Sequence, residues 1–359
     1  MVKTILKNVF IGASVATAVM LVFVAYSDHI DPEKHPFLGC AGMVFPFFLL
    51  VNLLVLIGWL IINWRRAWIP LAAYLLAIPA IRVYFPINFH HEPPAGSLKV
   101  ISYNVDWYNE VKESPNSQEL IYNYLKQQNA DIVCLQEDIV TMVDSLHDLS
   151  LLYPYNDTVQ LGTISSAIIN AVGIHSRYPI LRKEKIPIPS QGNGAALFFL
   201  QIGHDTVCFV NFHLETTHLT IVDRQRYNDM ITGDMDHEQA QAQTRMIIGK
   251  LSSSMGIRAR QADMLHDYIE RYSSYPMIVC GDMNDTPISY VRRTIAQGLT
   301  DCFVESGCGL GFSYRKTGFR FRIDDILCSS HYESYNCYVD DTVEASDHYP
   351  VVCWLHRQP

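Results

Sequence analysis

The sequence is short of positive charge, of zinc-type ligand spacings and of any disulfide framework. It holds 27 Lys/Arg against 36 Asp/Glu, a formal net charge of −9. The first 96 residues carry 6 of the basic and 4 of the acidic side chains, which leaves residues 97–359 with 21 and 32, a net charge of −11. So acidic a stretch gains little from phosphate-backbone attraction, which disfavours long-range steering of DNA or RNA and leaves open only a local basic groove. The nine cysteines are odd in number and form no Cys-x-x-Cys pair, and no His-x-x-x-His occurs. That excludes the common zinc spacings and argues against a small disulfide-stapled scaffold. Cys134, Cys208, Cys280, Cys328 and Cys353 lie in apolar strand-like runs and read as small buried hydrophobes. Cys302 and Cys308, close together near several glycines, are a candidate pair if they face an oxidising compartment. There is no internal repeat and no low-complexity segment.

Long apolar runs are not lacking. Mean hydropathy is +0.08, and the excess sits in the first quarter of the chain. Residues 9–26 and 37–62 are uncharged, and residues 67–85 are broken only by Arg82. Runs of about 18 residues or more suffice to cross a bilayer core of roughly 30 Å. The pattern predicts three transmembrane helices over 9–26, 37–62 and 67–85, a membrane anchor spanning residues 1–87. Lys3 and Lys7 give the first run a signal peptide's basic lead, yet a second apolar run follows instead of a cleavage site and a polar domain. With Lys3, Lys7, Arg65 and Arg66 in the cytoplasm, everything beyond residue 85 lies outside a cell (inner) membrane. Trp59, Trp64, Trp68 and Tyr84 mark the run ends as interfacial anchors, and Arg82 snorkels to the outer interface. Residues 88–96 read as a short solvated linker; His90, His91 and Glu92 are ligand types with nothing else beside them to make a site.

Residues 97–359 alternate strand-like and helical patterns, the mark of a mixed α/β sheet. A strand over 98–105 ends in Asn104, a helix covers 117–128, and a buried strand over 131–137 ends in Gln136 and Glu137. Residues 165–175 form a further strand. Residues 195–202 and 206–214 make a hairpin, and its second strand carries Asn211 and His213 on one face. Residues 215–256 are polar and rich in Met and Gln, too long for a connection, and read as an insertion or lid. Within them Asp234, Asp236 and His237 read either as a second metal site or as a solvated helix start. A helix follows over 257–272. Then an apolar strand over 277–280 runs straight into Gly281, Asp282, Met283 and Asn284, and a further helix covers 288–297. Asp282 and Asn284 share a face, and burying them unpaired would cost several kcal/mol, so they belong to a capping turn or to a site. A strand over 321–328 carries Asp324 and Asp325 on opposite faces, and Asp347 and His348 precede the last strand, 351–355.

Asn104, Glu137, His213, Asp282, Asn284, Asp324, Asp347 and His348 thus all fall at or near strand ends of one domain. Hard oxygen ligands suit Mg²⁺, with Mn²⁺ or Ca²⁺ as alternatives. A carboxylate-held divalent cation beside two histidines suits phosphoester hydrolysis. The ordered motifs Ser-Tyr-Asn104-Val, Leu-Gln-Glu137, Ser-Arg-Tyr-Pro-Ile, Asn211-Phe-His213-Leu, Gly-Asp282-Met-Asn284, Arg-Ile-Asp324-Asp-Ile and Ser-Asp347-His348-Tyr-Pro resemble the endonuclease/exonuclease/phosphatase superfamily. That superfamily includes pancreatic deoxyribonuclease, apurinic endonucleases, neutral sphingomyelinases and inositol-polyphosphate phosphatases, and this chain resembles a membrane-anchored, bacterial-type member.

The resemblance implies a four-layer sandwich of two mixed β-sheets flanked by helices over 97–359. It implies that Glu137 is the principal metal ligand, with Asn104 and Asp347 near the metal. Asp282 would activate the attacking water and Asn284 would hold a phosphate oxygen. His348, oriented by Asp324, would act on the phosphate or as general base, and His213 would touch the phosphate from the other side. Asp325 and Arg177 receive no role. Fold and motifs do not choose among nucleases, lipid phosphodiesterases and phosphatases. Acidity and the closeness of a bilayer favour a lipid headgroup or a small extracytoplasmic phosphoester. The alternatives are a membrane-bound nuclease and a non-catalytic module that holds a phosphorylated ligand.

Overall fold

The computed structural model describes residues 2–109, 116–139, 146–165, 168–190, 192–217, 219–233, 235–316 and 320–358. The chain opens with helices α1 (Val2–Ala25), α2 (Pro36–Gly39), α3 (Phe45–Asn63) and α4 (Trp68–Tyr84). Among the described residues two helical stretches, Thr4–Ala25 of 22 residues and Pro36–Arg66 of 31, are long and apolar enough to cross a membrane. The third expected span is the 17-residue helix α4. At 1.5 Å per residue it covers about 25 Å, short of the roughly 30 Å hydrocarbon core. Three membrane-length helices are therefore corrected to two. Helix α4 instead packs small side chains, Ala73, Ala77 and Ala80, in one cluster with Ala18 and Leu21 of α1. Elsewhere on these helices Leu54, Ile61 and Leu75 are exposed.

The remainder carries β1 (Leu98–Asn104), α5 (Ser117–Gln128), β2 (Ile132–Ile139), β3 (Tyr155–Ser165), β4 (Ile168–Ser176), β5 (Ile180–Ile186), β6 (Gly194–Ile202), β7 (Asp205–His213), α6 (Ile221–Thr232), α7 (His237–Arg271), β8 (Met277–Asp282), α8 (Tyr290–Ile295), β9 (Thr300–Asp301), α9 (Cys302–Ser306), β10 (Asp324–Cys328), β11 (Tyr332–Val339) and β12 (Val351–Arg357). One six-stranded sheet has the order β11-β12-β1-β2-β4-β3, the other β5-β6-β7-β8-β10-β9. The pairs β1–β2 and β7–β8 are parallel and the rest antiparallel. Inward residues such as Val100, Ile132, Phe198, Phe209, Ile278 and Ile326 form the core between the sheets. Their neighbours point outward: Ile101 and Val133 pack on Ile121 and Leu125 of α5, and Val210 and Val279 on Leu265 of α7 and Ile295 of α8. Burial on both faces explains why these strands read as unbroken apolar runs.

Several local expectations change. Helix α7 runs 35 residues without a break and joins the supposed insertion to the helix after it. Asp236 caps it, accepting from Gln239 N at 2.8 Å, which favours the helix-start reading; Asp234 lies outside the described residues. The cysteines are free: Cys302 Sγ points into the inter-sheet core, 3.7 Å from Cys328 Sγ, and Cys308 is exposed. The candidate pair is therefore not formed, one thiol facing the core and the other the surface. The linker is docked rather than loose, because Asn88 Nδ2 donates to the carbonyls of Val304 at 3.0 Å and Gly307 at 2.8 Å. His90 and Glu92 pair with each other at 3.1 Å on the surface. Arg82 meets Glu305 of the C-terminal domain at 2.9 Å instead of reaching for an interface.

Candidate active site

Five strand ends converge at one edge of the sandwich. Asn104 ends β1 and Glu137 lies near the end of β2 in one sheet, while His213, Asp282 and Asp324 are register neighbours at the ends of β7, β8 and β10 in the other. Side chains that alternate along a strand place one residue per strand in the gap between the sheets. Glu137 sits at a register shift between Gln136 and Asp138, with a left-handed φ of 52°. A bulge of this kind re-aims a side chain, and holding a non-glycine residue there is a strain tolerated mainly at functional positions. Asn284, at φ 50°, takes the same conformation in the turn after β8.

The groups are close and mostly buried. Asn104 Nδ2 donates to Asp282 Oδ2 at 3.1 Å and to Glu137 Oε1 at 3.3 Å. His213 Nε2 lies 3.6 Å from both of those carboxylates. His348 Nδ1 hydrogen bonds to Asp324 Oδ2 at 2.8 Å, and its Nε2 points toward Asp282 Oδ2 at 3.7 Å. Asp347 pairs with Lys316 and lies 4.0 Å from His348 Nε2. Asn284 borders the cleft, but its Nδ2 is donated to Leu214 O at 3.0 Å, and its backbone N–H to Asp282 Oδ1 at 2.7 Å. All eight sequence-derived candidates are thus brought together, with Asn104, His213 and Asp324 set behind the cleft wall.

Crowding of acids sets the electrostatics. Burial, reinforced by Asp106 and Asp347, pushes the Glu137 carboxyl up to about 8. Burial and Asp324 push Asp282 up to about 7. Burial alone would discharge His348, but Asp324 and Asp282 outweigh it and hold its pKa at about 10. His213, buried and facing His348, falls to about 3 and is neutral near pH 7. Glu137 Oε2 and Asp324 Oδ1 are buried with no hydrogen-bond partner. Buried carboxylate oxygens without donors, beside further acids, suit a hard divalent cation. Ligand atoms of Asp282, Asp324 and His348 also lie within 4.8 Å of one another. Since Asp324 and His348 are committed to each other, Glu137 is the better centre for a cation.

A cavity of about 280 Å³ opens above these groups. Its polar end holds Glu137, Asp282, Asp347 and His348, and its wall includes residues the sequence reading passed over: Arg258, Asp106, Lys316 and Met43. Arg258 is buried on α7, its Nε 3.3 Å from Asp285 and its Nη1 3.1 Å from Glu215 O. Its place on the apolar stripe Leu251, Met255, Arg258, Ala262, Leu265 was the readable signal, because an arginine in a core stripe needs a buried partner. Met43 gave no signal.

Two mixed sheets packed face to face and flanked by helices, with acids and histidines gathered at one edge, define the α/β sandwich class to which the chain belongs. The family model "Endonuclease/Exonuclease/phosphatase family" matches residues 101–348, and the chain belongs to that family. Residues 7–84 match a separate model described as a domain of unknown function. A comparison with curated proteins gives no match. Among solved structures, the human Nocturnin catalytic domain is similar at 15% identity and a TM-score of 0.54, covering 76% of this chain and 96% of that one. An endonuclease/exonuclease/phosphatase family protein of Bacteroides thetaiotaomicron is similar at 16% identity and a TM-score of 0.53, covering 75% and 100%. A mannosyl-6-phosphatase of the same organism is similar at 16% identity and a TM-score of 0.51, covering 72% and 100%. These likenesses concern the fold.

Proposed function

We propose that the chain is a divalent-metal-dependent phosphoesterase held at a membrane by its N-terminal helices. The observation that carries this reading is the meeting, in one cleft, of the unsatisfied Glu137 carboxylate, the near-neutral Asp282 and the Asp324–His348 pair. Glu137, with Asn104 and Asp347 beside it, would hold the cation, which when bound neutralises charge on phosphoryl and leaving oxygens. Asp282, with a pKa near 7, suits a base that orients and deprotonates the attacking water. His348 keeps its proton through Asp324 and presents Nε2–H to charge developing on the phosphoryl group. Neutral His213, behind the wall, keeps its Nε2 3.6 Å from Glu137 and Asp282 without adding charge. A remaining N–H of Asn284 is available to a phosphate oxygen.

The favoured substrate is a lipid headgroup or another small extracytoplasmic phosphoester. The acidic domain and the anchor support this over a nuclease. The orientation is supported by Lys3 and Lys7 in the first turns of α1 and Arg65 and Arg66 in the turn between α3 and α4, whereas Gly42 and Val83, at other helix ends, touch Ile288 and Arg322 of the C-terminal domain. The test is hydrolysis by the purified full chain, with Mg²⁺, of sphingomyelin vesicles, phosphoinositide vesicles and plasmid DNA. Lipid turnover that Glu137→Ala abolishes is the expected result. Rapid DNA cleavage without lipid turnover would overturn the substrate class, and inertness toward every phosphoester with every divalent cation would overturn the enzyme.

A further inference from the structure

The cleft's outer wall is apolar, and part of it comes from the N-terminal segment. Met43, between α2 and α3, borders the same cavity as Glu137, Asp282 and His348. Trp107, Leu219, Leu251, Phe321 and Ile323 complete the apolar side from other parts of the chain. The segment carrying Met43 is fixed, not draped. A Cβ on Gly42 would stand 1.9 Å from Ile288 O, so only glycine lets the two backbones touch. Ile288 shares an apolar cluster with Leu21, Phe45 and Ala80 of the N-terminal helices. It also closes the loop whose Asn284, Asp285 and Thr286 line the cavity. Cys40 Sγ lies 3.3 Å from Met255 Sδ on α7, and Glu33 meets Arg260 at 3.1 Å.

We infer that the N-terminal segment is a structural part of the substrate site, and that Met43 selects phosphoesters bearing an apolar chain on an ester oxygen. The inference rests on the phosphoesterase reading above. Water is a poor occupant for a wall of six apolar side chains facing the acids, whereas a substrate with one charged and one apolar end satisfies both halves. An unbranched thioether adapts to a flexible chain, as methionine does at other apolar binding surfaces.

The test uses the full chain in detergent with Mg²⁺ and a matched pair of phosphodiesters, methyl and dodecyl 4-nitrophenyl phosphate. Met43→Glu should lower the dodecyl-to-methyl ratio of kcat/KM by about ten-fold or more, the scale of one buried apolar side chain, chiefly through the dodecyl KM. Met43→Ala should move the ratio the same way without a charge, and Met43→Leu should keep it. Leu219→Glu, on the same apolar side of the cavity, should repeat the effect if the Met43 variants fold poorly. An unchanged ratio in all of them overturns the inference and leaves the phosphoesterase intact. A wild type that hydrolyses neither ester overturns the phosphoesterase reading and the inference with it. Repeating the dodecyl ester dispersed and in phosphatidylcholine vesicles separates a soluble amphiphile from a bilayer lipid, and a Met43-dependent ratio in either supports the inference.

Discussion

Glu137→Gln should make the metal-free protein more stable while destroying its activity. The Glu137 carboxyl is buried, its Oε2 meets no donor, and its pKa rises from the usual 4.5 to about 8. The folded state therefore holds a proton that the unfolded chain releases between those values. Stability is full below about pH 4.5 and falls as pH rises to 8. The shift corresponds to a penalty of about 5 kcal/mol above pH 8. A glutamine in the same place keeps the volume and removes the charge, but leaves amide groups short of partners at a cost of about 1–3 kcal/mol. The net gain should be roughly 2–4 kcal/mol, or on the order of 5–15 °C in Tm for a domain of this size. The assay is thermal unfolding of the full chain in detergent with EDTA, at pH 8.5 and pH 5. The variant should be clearly the more stable at pH 8.5, whereas at pH 5 the remaining penalty of about 1 kcal/mol no longer offsets the amide cost and the variant should be level with the wild type or up to about 2 kcal/mol below it. Adding Mg²⁺ should stabilise the wild type and leave the variant nearly unmoved, because binding to the folded state adds stability by mass action. A variant less stable than the wild type at pH 8.5 in EDTA would refute the argument that Glu137 is an uncompensated buried acid awaiting a cation.

Asp324→Asn should lower kcat by about 10²–10⁴-fold with KM changed little, since Asp324 positions and charges His348 through the 2.8 Å bond to Nδ1; steady-state kinetics on a 4-nitrophenyl ester reads the split. Gly281→Ala should abolish activity and lower stability by more than a surface change would, because its Cβ would stand 2.2 Å from Phe212 O across the β7–β8 pair that aligns His213 with Asp282. Wild-type stability in a denaturant titration of that variant would sink this account of the strand pair.

Much of the fold was legible because burial writes itself into pattern. Strands buried on both faces read as short apolar runs, and polar residues at their ends had no reason to be there except a turn or a site. Asp282 and Glu137 stood out on that ground alone. The Gly203 hairpin and the helix over 117–128 were legible by the same logic, and the acids and histidines at the strand ends were candidates on the same ground. The continuity of α7 across the supposed insertion was not, because a polar, Gln-rich amphipathic helix carries a weak pattern until a packed face is known. The length of α4 differs for a related reason: apolar composition counts residues, whereas crossing a bilayer needs helical length, and Ala67 and Phe85 at the ends of the apolar run are caps outside the helix.

Local sequence determined which residues are acids at strand ends, which strands are buried and which runs are apolar, because these follow from solvation and backbone periodicity. Tertiary structure alone decided what meets what. It bent Glu137 inward at a bulge, matched Asp324 to His348 across 24 residues and buried Arg258 beside Asp285. It also seated Gly42 on Ile288 so that Met43 reaches the cleft. Contacts between distant segments depend on how whole layers pack, and no window of neighbouring residues records that.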